Sequence, residues 1–320
     1  MTSTATTGIN GTAPGGRGGA KLEKRGDGFF HRRVDAGEVT LHIAEARPAN
    51  VGAGEVPKDV PLVVLLHGFP EFWWSWRDQL RALADAGFWA VAPDLRGYNE
   101  SDKPEGVGEY EVEKLAGDVA GIIKALGREK ATVVGHDWGA VVAWAFASEH
   151  PGMLERLAIL NVPHPLVMLK NLRRPAQMMK SWYIFFFQLP GIPERVVSKN
   201  DYAFIRHTFK SDGFDRETIE HYVDAIRVPK AVTSAINYYR AAIRRSVRGK
   251  LPQMKHIAQK VLVIWGDKDK YLGKEMAEPP TKLVPNARVV HLPNATHWVQ
   301  NDAKDEVNRL LLDFFREDAR

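Results

Sequence analysis

An aspartate stands between two glycines in the segment Gly135-His136-Asp137-Trp138-Gly139. A buried apolar run precedes this segment and an apolar helical pattern follows it, which is typical of a nucleophile elbow with Asp in place of the commoner Ser. The glycines suit a sharp turn with closely approaching backbone. The helix that begins at Trp138 favours an ionised carboxylate. Because a carboxylate can attack saturated carbon and form an alkyl ester, we predict that Asp137 is a nucleophile.

Cleavage of such an ester by water needs a general base and an acid that orients the base. In the elbow pattern the acid and then the histidine follow the nucleophile along the chain. Asp267 and Asp269 follow the predicted strand Val261–Trp265, and His297 follows the predicted strand Val289–His291. We predict His297 as the base and Asp269 as its acid, because Asp267 is better suited to completing a turn. The choice between the two aspartates stays open.

An oxyanion hole is also needed, and the segment His67-Gly68-Phe69-Pro70 comes directly after the predicted strand Leu62–Leu66. In this pattern one donor lies in the loop after that strand and the other on the residue after the nucleophile. We therefore predict that the backbone amides of Phe69 and Trp138 bind the oxyanion. The chain has no cysteine and no pair of histidines at i,i+4 spacing, so we predict neither a metal nor a cofactor.

The elements that must position these residues alternate between strand and helix. Short apolar runs are typical of parallel strands buried on both faces, and helical periods separate them. From about residue 163 to residue 255 the strands stop, and helix-like segments broken by prolines replace them. We predict an α/β fold in which a mostly parallel central sheet, flanked by helices, carries an inserted helical cap over its carboxyl edge. The predicted domains are a flexible tail at 1–26, a core at 27–162 and 256–320, and a cap at 163–255.

Composition limits the classes of function. With 44% hydrophobic residues among 320, the chain can bury a large core. A net charge of +5 is a mild excess, so we predict no nucleic-acid partner. The apolar runs are too short for a membrane span, and the first residues lack the apolar core of a secretory signal. We therefore expect a cytoplasmic protein whose oligomeric state, a homodimer included, stays open.

Four motifs together resemble those of the α/β-hydrolase-fold epoxide hydrolases, and the resemblance extends from about Phe29 to the C-terminus. They mostly define the branch of that superfamily with an aspartate nucleophile. The resemblance implies the α/β-hydrolase fold with its catalytic triad, and a reaction that converts a small-molecule epoxide and water to a vicinal diol without a cofactor. The motifs are His67-Gly68-Phe69-Pro70-Glu71, Trp74-Ser75-Trp76-Arg77, Asp94-Leu95-Arg96-Gly97-Tyr98 with Ser101, and Gly135-His136-Asp137-Trp138-Gly139.

The resemblance also implies two cap tyrosines whose hydroxyls bind the epoxide oxygen. Tyr183, in the run Trp182–Gly191, matches the first cap motif, and Tyr239, in Asn237-Tyr238-Tyr239-Arg240, matches the second. Such donors suit the chemistry, because an epoxide opens readily when its leaving oxygen is hydrogen-bonded and protonated. We expect the aromatic run Trp182–Phe187 to line the pocket.

Two alternatives remain. Haloalkane dehalogenases share the aspartate elbow, but they usually hold the halide with an Asn where this chain has Phe69. Catalytically silent ligand-binding proteins also occur on this fold, although such proteins should lose part of the machinery that is retained here.

Overall fold

The computed structural model describes residues 22–249 and 253–317. Within these ranges nine strands form one sheet in the order β1-β2-β3-β5-β4-β6-β7-β8-β9. The six strands from β5 to β9 in this order run parallel, and β1, β2 and β3 join them by antiparallel pairing. The prediction of a mostly parallel central sheet is confirmed. The strands are β1 (Glu23–Lys24), β2 (Phe30–Asp35), β3 (Thr40–Ala46), β4 (Leu62–Leu66), β5 (Trp89–Pro93), β6 (Ala131–His136), β7 (Leu154–Leu160), β8 (Val261–Gly266) and β9 (Ala287–Leu292).

Helices follow most of the strands, and six of them lie together between β7 and β8. These six, α4 to α9, occupy the part of the chain where the cap is predicted. The boundaries at residues 163 and 255 stay predictions, and residues 250–252 lie outside the described ranges. The helices are α1 (Arg77–Asp85), α2 (Val112–Ala125), α3 (Trp138–Glu149), α4 (Pro165–Asn171), α5 (Pro175–Lys180), α6 (Trp182–Phe186), α7 (Ile192–Ser211), α8 (Arg216–Arg227), α9 (Ala231–Val247), α10 (Val299–Asp302) and α11 (Lys304–Phe315).

The central strands are mostly apolar because helices cover both faces of the sheet. Every residue of β4, β6 and β8 is buried. Helix α3 is also buried on most of its surface, including Trp144 and Phe146. Burial of one such side chain stabilises the fold by roughly 1.5–3 kcal/mol. The carboxyl ends of β4, β6 and β8 therefore rest on a fully buried scaffold.

The N-terminal edge differs from the sequence expectation. Residues 22–26 belong to the predicted tail, yet Glu23 and Lys24 pair with His31 and Phe30 of β2. This strand has two exposed residues, and only its pairing with β2 defines it. Residues 1–21 of the predicted tail lie outside the described ranges.

The apolar runs of the sequence are predicted to be too short for a membrane span, and the helices of the structure can be compared with this prediction. None of the helices in the described ranges combines the length and the apolar character that crossing a bilayer requires.

Candidate active site

Asp137 occupies a strained turn between β6 and α3. Its backbone has φ 48° and ψ −122°, a conformation that costs a residue with a side chain about 1–3 kcal/mol. The flanking glycines allow the turn because there is no room for a side chain. A Cβ on Gly139 would lie 2.0 Å from the Leu66 carbonyl oxygen, and one on Gly135 would lie 2.5 Å from the carbonyl oxygen of Gly139. The glycine spacing therefore packs the elbow onto the end of β4.

The loop after β4 holds the Asp137 carboxylate. The backbone amide of Phe69 donates a hydrogen bond of 2.7 Å to Oδ1 of Asp137. Gly68 makes this approach possible, since a Cβ there would lie 2.2 Å from the Cβ of Asp137. The amide of Trp138, the second predicted oxyanion donor, opens α3 but makes no hydrogen bond to the carboxylate.

His297 lies between two carboxylates. Its Nε2 is 3.7 Å from Oδ2 of Asp137, and its Nδ1 is 2.8 Å from Oδ2 of Asp269. Asp267 is turned elsewhere and accepts a bond of 2.6 Å from Nδ1 of His291. The structure therefore brings Asp269, and not Asp267, into contact with the predicted base.

Asp137, His297 and Asp269 each stabilise the charged form of the group beside them. Burial disfavours the charged form of His297, but the charges of Asp269 and Asp137 outweigh it and hold the pKa of His297 well above its usual range. Burial likewise opposes ionisation of Asp137 and Asp269, yet the imidazolium lowers the pKa of both carboxyls. The two carboxylates therefore favour the protonated form of His297, and the imidazolium favours the ionised form of both aspartates.

Asn161 positions the Asp269 carboxylate, and no local signal in the sequence indicated this residue. Its Nδ2 donates hydrogen bonds to Oδ2 of Asp269 at 2.8 Å and to the carbonyl oxygen of Thr296 at 3.2 Å. Its Oδ1 accepts a hydrogen bond of 2.7 Å from the amide of Gly266. Asn161 directly follows β7, so only the fold brings it to the loops after β8 and β9. A residue of the same sheet edge thus holds both Asp269 and the loop that carries His297.

A second buried pair, His136 and Glu71, lies behind His297. The Nδ1 of His136 is 2.9 Å from Oε2 of Glu71, and its Nε2 is 2.9 Å from the carbonyl oxygen of His297. Because a carbonyl oxygen only accepts, Nε2 of His136 carries a proton. Oε2 of Glu71 also lies 3.3 Å from the amide of Gly68. The pair therefore links the predicted oxyanion loop to the backbone of His297.

The two predicted cap tyrosines line the same cavity as Asp137. This cavity has a volume of about 870 Å³, and Tyr183 reaches it from α6 and Tyr239 from α9. Their ring centroids are 5.8 Å apart. Burial, together with the charge of Asp137, raises the pKa of both phenols, so both stay neutral donors. The neighbouring Tyr238 also borders the cavity, but its hydroxyl donates a hydrogen bond of 2.7 Å to the carbonyl oxygen of Arg96.

The expectation that the whole run Trp182–Phe187 lines the pocket is wrong. Tyr183 and Ile184 line the cavity, but Trp182 is 56% exposed and Phe185 54% exposed. The run forms α6, and the period of a helix directs these residues to different sides. An aromatic run therefore serves two surfaces, one toward the cavity and one toward solvent.

A contact from the predicted cap reaches the loops that carry His297 and Asp269. Asp212, which follows α7, accepts a hydrogen bond of 2.9 Å from Nε1 of Trp298 and one of 3.0 Å from the hydroxyl of Tyr271. Trp298 is the neighbour of His297, and Tyr271 donates its amide to Asp269. Hydrogen bonds of Asp212 thus connect the end of α7 to both loops. In the described ranges no three His, Cys, Asp or Glu side chains cluster as metal ligands do.

The sequence motifs predicted a carboxylate at an elbow, a histidine and an acid that orients it, and the structure places Asp137, His297 and Asp269 together. The family model described as the alpha/beta hydrolase fold matches residues 61–304. The chain belongs to the α/β-hydrolase fold family. The predicted fold class is confirmed.

Curated relatives and solved structures extend this result. The chain is 40% identical over 296 residues to the AB hydrolase superfamily protein YfhM of Bacillus subtilis, with 91% of this chain and 99% of that protein covered. It is 40% identical to human epoxide hydrolase 4, with 84% and 76% covered. The crystal structure of epoxide hydrolase A from Mycobacterium thermoresistibile has 30% identity and a TM-score of 0.74, with 90% and 98% covered. The predicted resemblance to α/β-hydrolase-fold epoxide hydrolases is confirmed.

Proposed function

We propose that the protein is an epoxide hydrolase that adds water to an epoxide, yields a vicinal diol and forms a covalent ester on Asp137. One observation carries the proposal: the carboxylate of Asp137 and the phenols of Tyr183 and Tyr239 line one cavity of about 870 Å³. The pKa of Asp137 is lowered, which favours the carboxylate, and the pKa of both phenols is raised, which favours their neutral form. The carboxylate can attack carbon while the phenols donate to the oxygen that leaves. The names of the human and mycobacterial relatives agree with this reaction.

In the first step an oxygen of Asp137 attacks one ring carbon of the epoxide. The new ester C–O bond forms as the ring C–O bond breaks, and its electron pair goes to the ring oxygen. Tyr183 or Tyr239 gives that oxygen a proton and becomes a tyrosinate. The hydrogen bond from Phe69 at 2.7 Å holds the carboxylate in position for this attack.

Formation of the ester changes His297 from an acid to a base. The Asp137 charge is one of the causes that raise the pKa of His297, and the neutral ester no longer supplies it. The pKa of His297 therefore falls after alkylation, and its proton can return to the tyrosinate. Asp269 still holds Nδ1 at 2.8 Å, so the freed Nε2 faces the ester as a base.

In the second step His297 takes a proton from water, and the hydroxide attacks the carboxyl carbon of the ester. The carbonyl electron pair moves to oxygen, where the amides of Phe69 and Trp138 stabilise the oxyanion. When this intermediate collapses, the diol oxygen leaves with the proton of the attacking hydroxide. Asp137 is an ionised carboxylate again, with one oxygen from water, and His297 and the tyrosine carry their original protons.

Purified protein should form diol from aryl and alkyl epoxides, and the same assay should measure halide release from haloalkanes. The Asp137→Ala variant is the blank, because it lacks the attacking oxygen. Diol formation that disappears in this variant is the expected result. Halide release without diol would contradict the proposal and favour a haloalkane dehalogenase. Inactivity of the wild type on every compound would favour the ligand-binding alternative.

A further inference from the structure

Apolar side chains are exposed in one stretch of the cap. In the described ranges nine large apolar side chains are exposed to solvent, and seven of them lie within residues 178–196. Soluble proteins rarely expose apolar side chains together unless the surface binds a partner or a membrane. We call these seven the cap stripe: Met178 (46% exposed), Met179 (76%), Trp182 (56%), Phe185 (54%), Leu189 (43%), Ile192 (48%) and Val196 (41%).

Exposed cations accompany the cap stripe. Residues 156–193 contain no aspartate or glutamate. Glu194, the first acid after this stretch, pairs with Arg240 at 2.5 Å, so it does not offset the neighbouring cations. In the described ranges six exposed cations on α4, α5, α7 and the adjoining loops form no ion pair with an acid. These six are Lys170, Arg173, Arg174, Lys180, Arg195 and Lys199.

We propose that the cap stripe docks on the surface of a membrane that contains anionic phospholipid. Apolar and aromatic side chains gain free energy by entering the boundary between headgroups and acyl chains. Each cation near an anionic surface adds an attraction that salt weakens. A second copy of this chain suits the surface less well, because self-association would bring two sets of unpaired cations together.

The cap stripe and the catalytic cavity share helix α6. Trp182 and Phe185 face solvent from this helix, while Tyr183 and Ile184 line the cavity. A docked cap therefore holds the cavity one helix away from the lipid. Docking of this kind would favour substrates that partition into membranes. The docking itself does not depend on the reaction proposed above.

Vesicle co-sedimentation of the full chain tests the proposal without any activity measurement. The probes are vesicles of phosphatidylcholine alone and of equimolar phosphatidylcholine and phosphatidylglycerol, each at low and high salt. We expect binding to the anionic vesicles that high salt reverses, and much weaker binding to the neutral ones. Absence of wild-type binding to the anionic vesicles at low salt would overturn the proposal.

Two double variants separate the apolar and charged contributions. We expect both double variants to weaken vesicle binding: one combines Trp182→Ser with Phe185→Ser, and the other combines Arg173→Glu with Arg174→Glu. The charge reversal should weaken binding by about 20-fold or more. Val247→Ser and Lys282→Glu are matched controls on exposed residues outside residues 156–199, and they should bind as the wild type does. Circular dichroism and thermal unfolding check that each variant is folded.

Two results from these variants would contradict the docking. Folded stripe variants that bind vesicles as tightly as the controls would show that another surface makes the contact. Analytical ultracentrifugation gives the other result: if the stripe variants convert a wild-type dimer to a monomer and leave vesicle binding unchanged, the stripe is a self-association surface.

Discussion

Replacement of Tyr183 and Tyr239 by Phe removes the two hydroxyls that we propose bind the epoxide oxygen. The aromatic packing around Asp137 is retained, since the Tyr239 ring lies 5.6 Å from Phe69 and 4.9 Å from Trp138 by centroids. Both phenols are neutral, because burial and Asp137 raise their pKa. Each variant therefore loses one donor and no charge.

The size of the effect follows from the hydrogen bonds lost in the transition state. A hydrogen bond to an oxygen that gains charge contributes about 1.5–3 kcal/mol. Since about 1.4 kcal/mol is a factor of ten in rate, each single variant should slow ester formation by about 10- to 150-fold. The double variant leaves the developing alkoxide without either donor, so we expect a loss of about 10²- to 10⁴-fold.

Single-turnover kinetics measure this step directly. Excess enzyme is mixed with an epoxide, the reaction is quenched, and the ester is quantified by mass spectrometry. Tyr238→Phe is the matched control. The Tyr238 hydroxyl donates a hydrogen bond of 2.7 Å to the carbonyl oxygen of Arg96, so this variant should be less stable but should alkylate at the wild-type rate. A double Tyr183→Phe, Tyr239→Phe variant that alkylates within about twofold of the wild type would refute the proposed role of the tyrosines.

Three further outcomes are expected. Asn161→Ala removes a donor to Asp269 and the acceptor of the Gly266 amide, so it should lower the free energy of unfolding by about 2–4 kcal/mol in a denaturant titration; an unchanged midpoint would contradict this. Asp137→Ala should lower the pKa of His297, because one of its two anions is lost, and NMR titration should show deprotonation at lower pH than in the wild type. His297→Gln should form the ester but not hydrolyse it, so intact mass spectrometry should detect a stable adduct; rapid turnover by this variant would exclude His297 as the base.

Much of the fold was predictable because the central strands carry a local signal. Leu62–Leu66 is apolar along its length, which marks a strand buried on both faces. Residues placed after such strands meet at one sheet edge, so the proximity of Asp137, Asp269 and His297 could be predicted from their positions. The pair Glu23–Lys24 could not, since neither residue has a pattern of its own and only the register with β2 defines it.

Other parts of the site arise only from tertiary structure. A single asparagine after a strand has no distinctive signal, and Asn161 gains its role from the loops after β8 and β9. The choice of Asp269 over Asp267 likewise depends on the direction in which each side chain leaves the loop. The aromatic run of α6 suggested a pocket wall, but the helical period exposes Trp182 and Phe185. Composition does not reveal which side of a short helix faces the cavity.

The covalent ester on Asp137 is the central claim, and a single turnover in ¹⁸O-labelled water tests it most directly. With enzyme in excess, the first diol should carry no ¹⁸O, because its new oxygen comes from the Asp137 carboxylate. The peptide that contains Asp137 should gain the label, because water attacks the carboxyl carbon of the ester. Labelled diol together with an unlabelled Asp137 peptide would show direct attack of water on the epoxide and contradict the account.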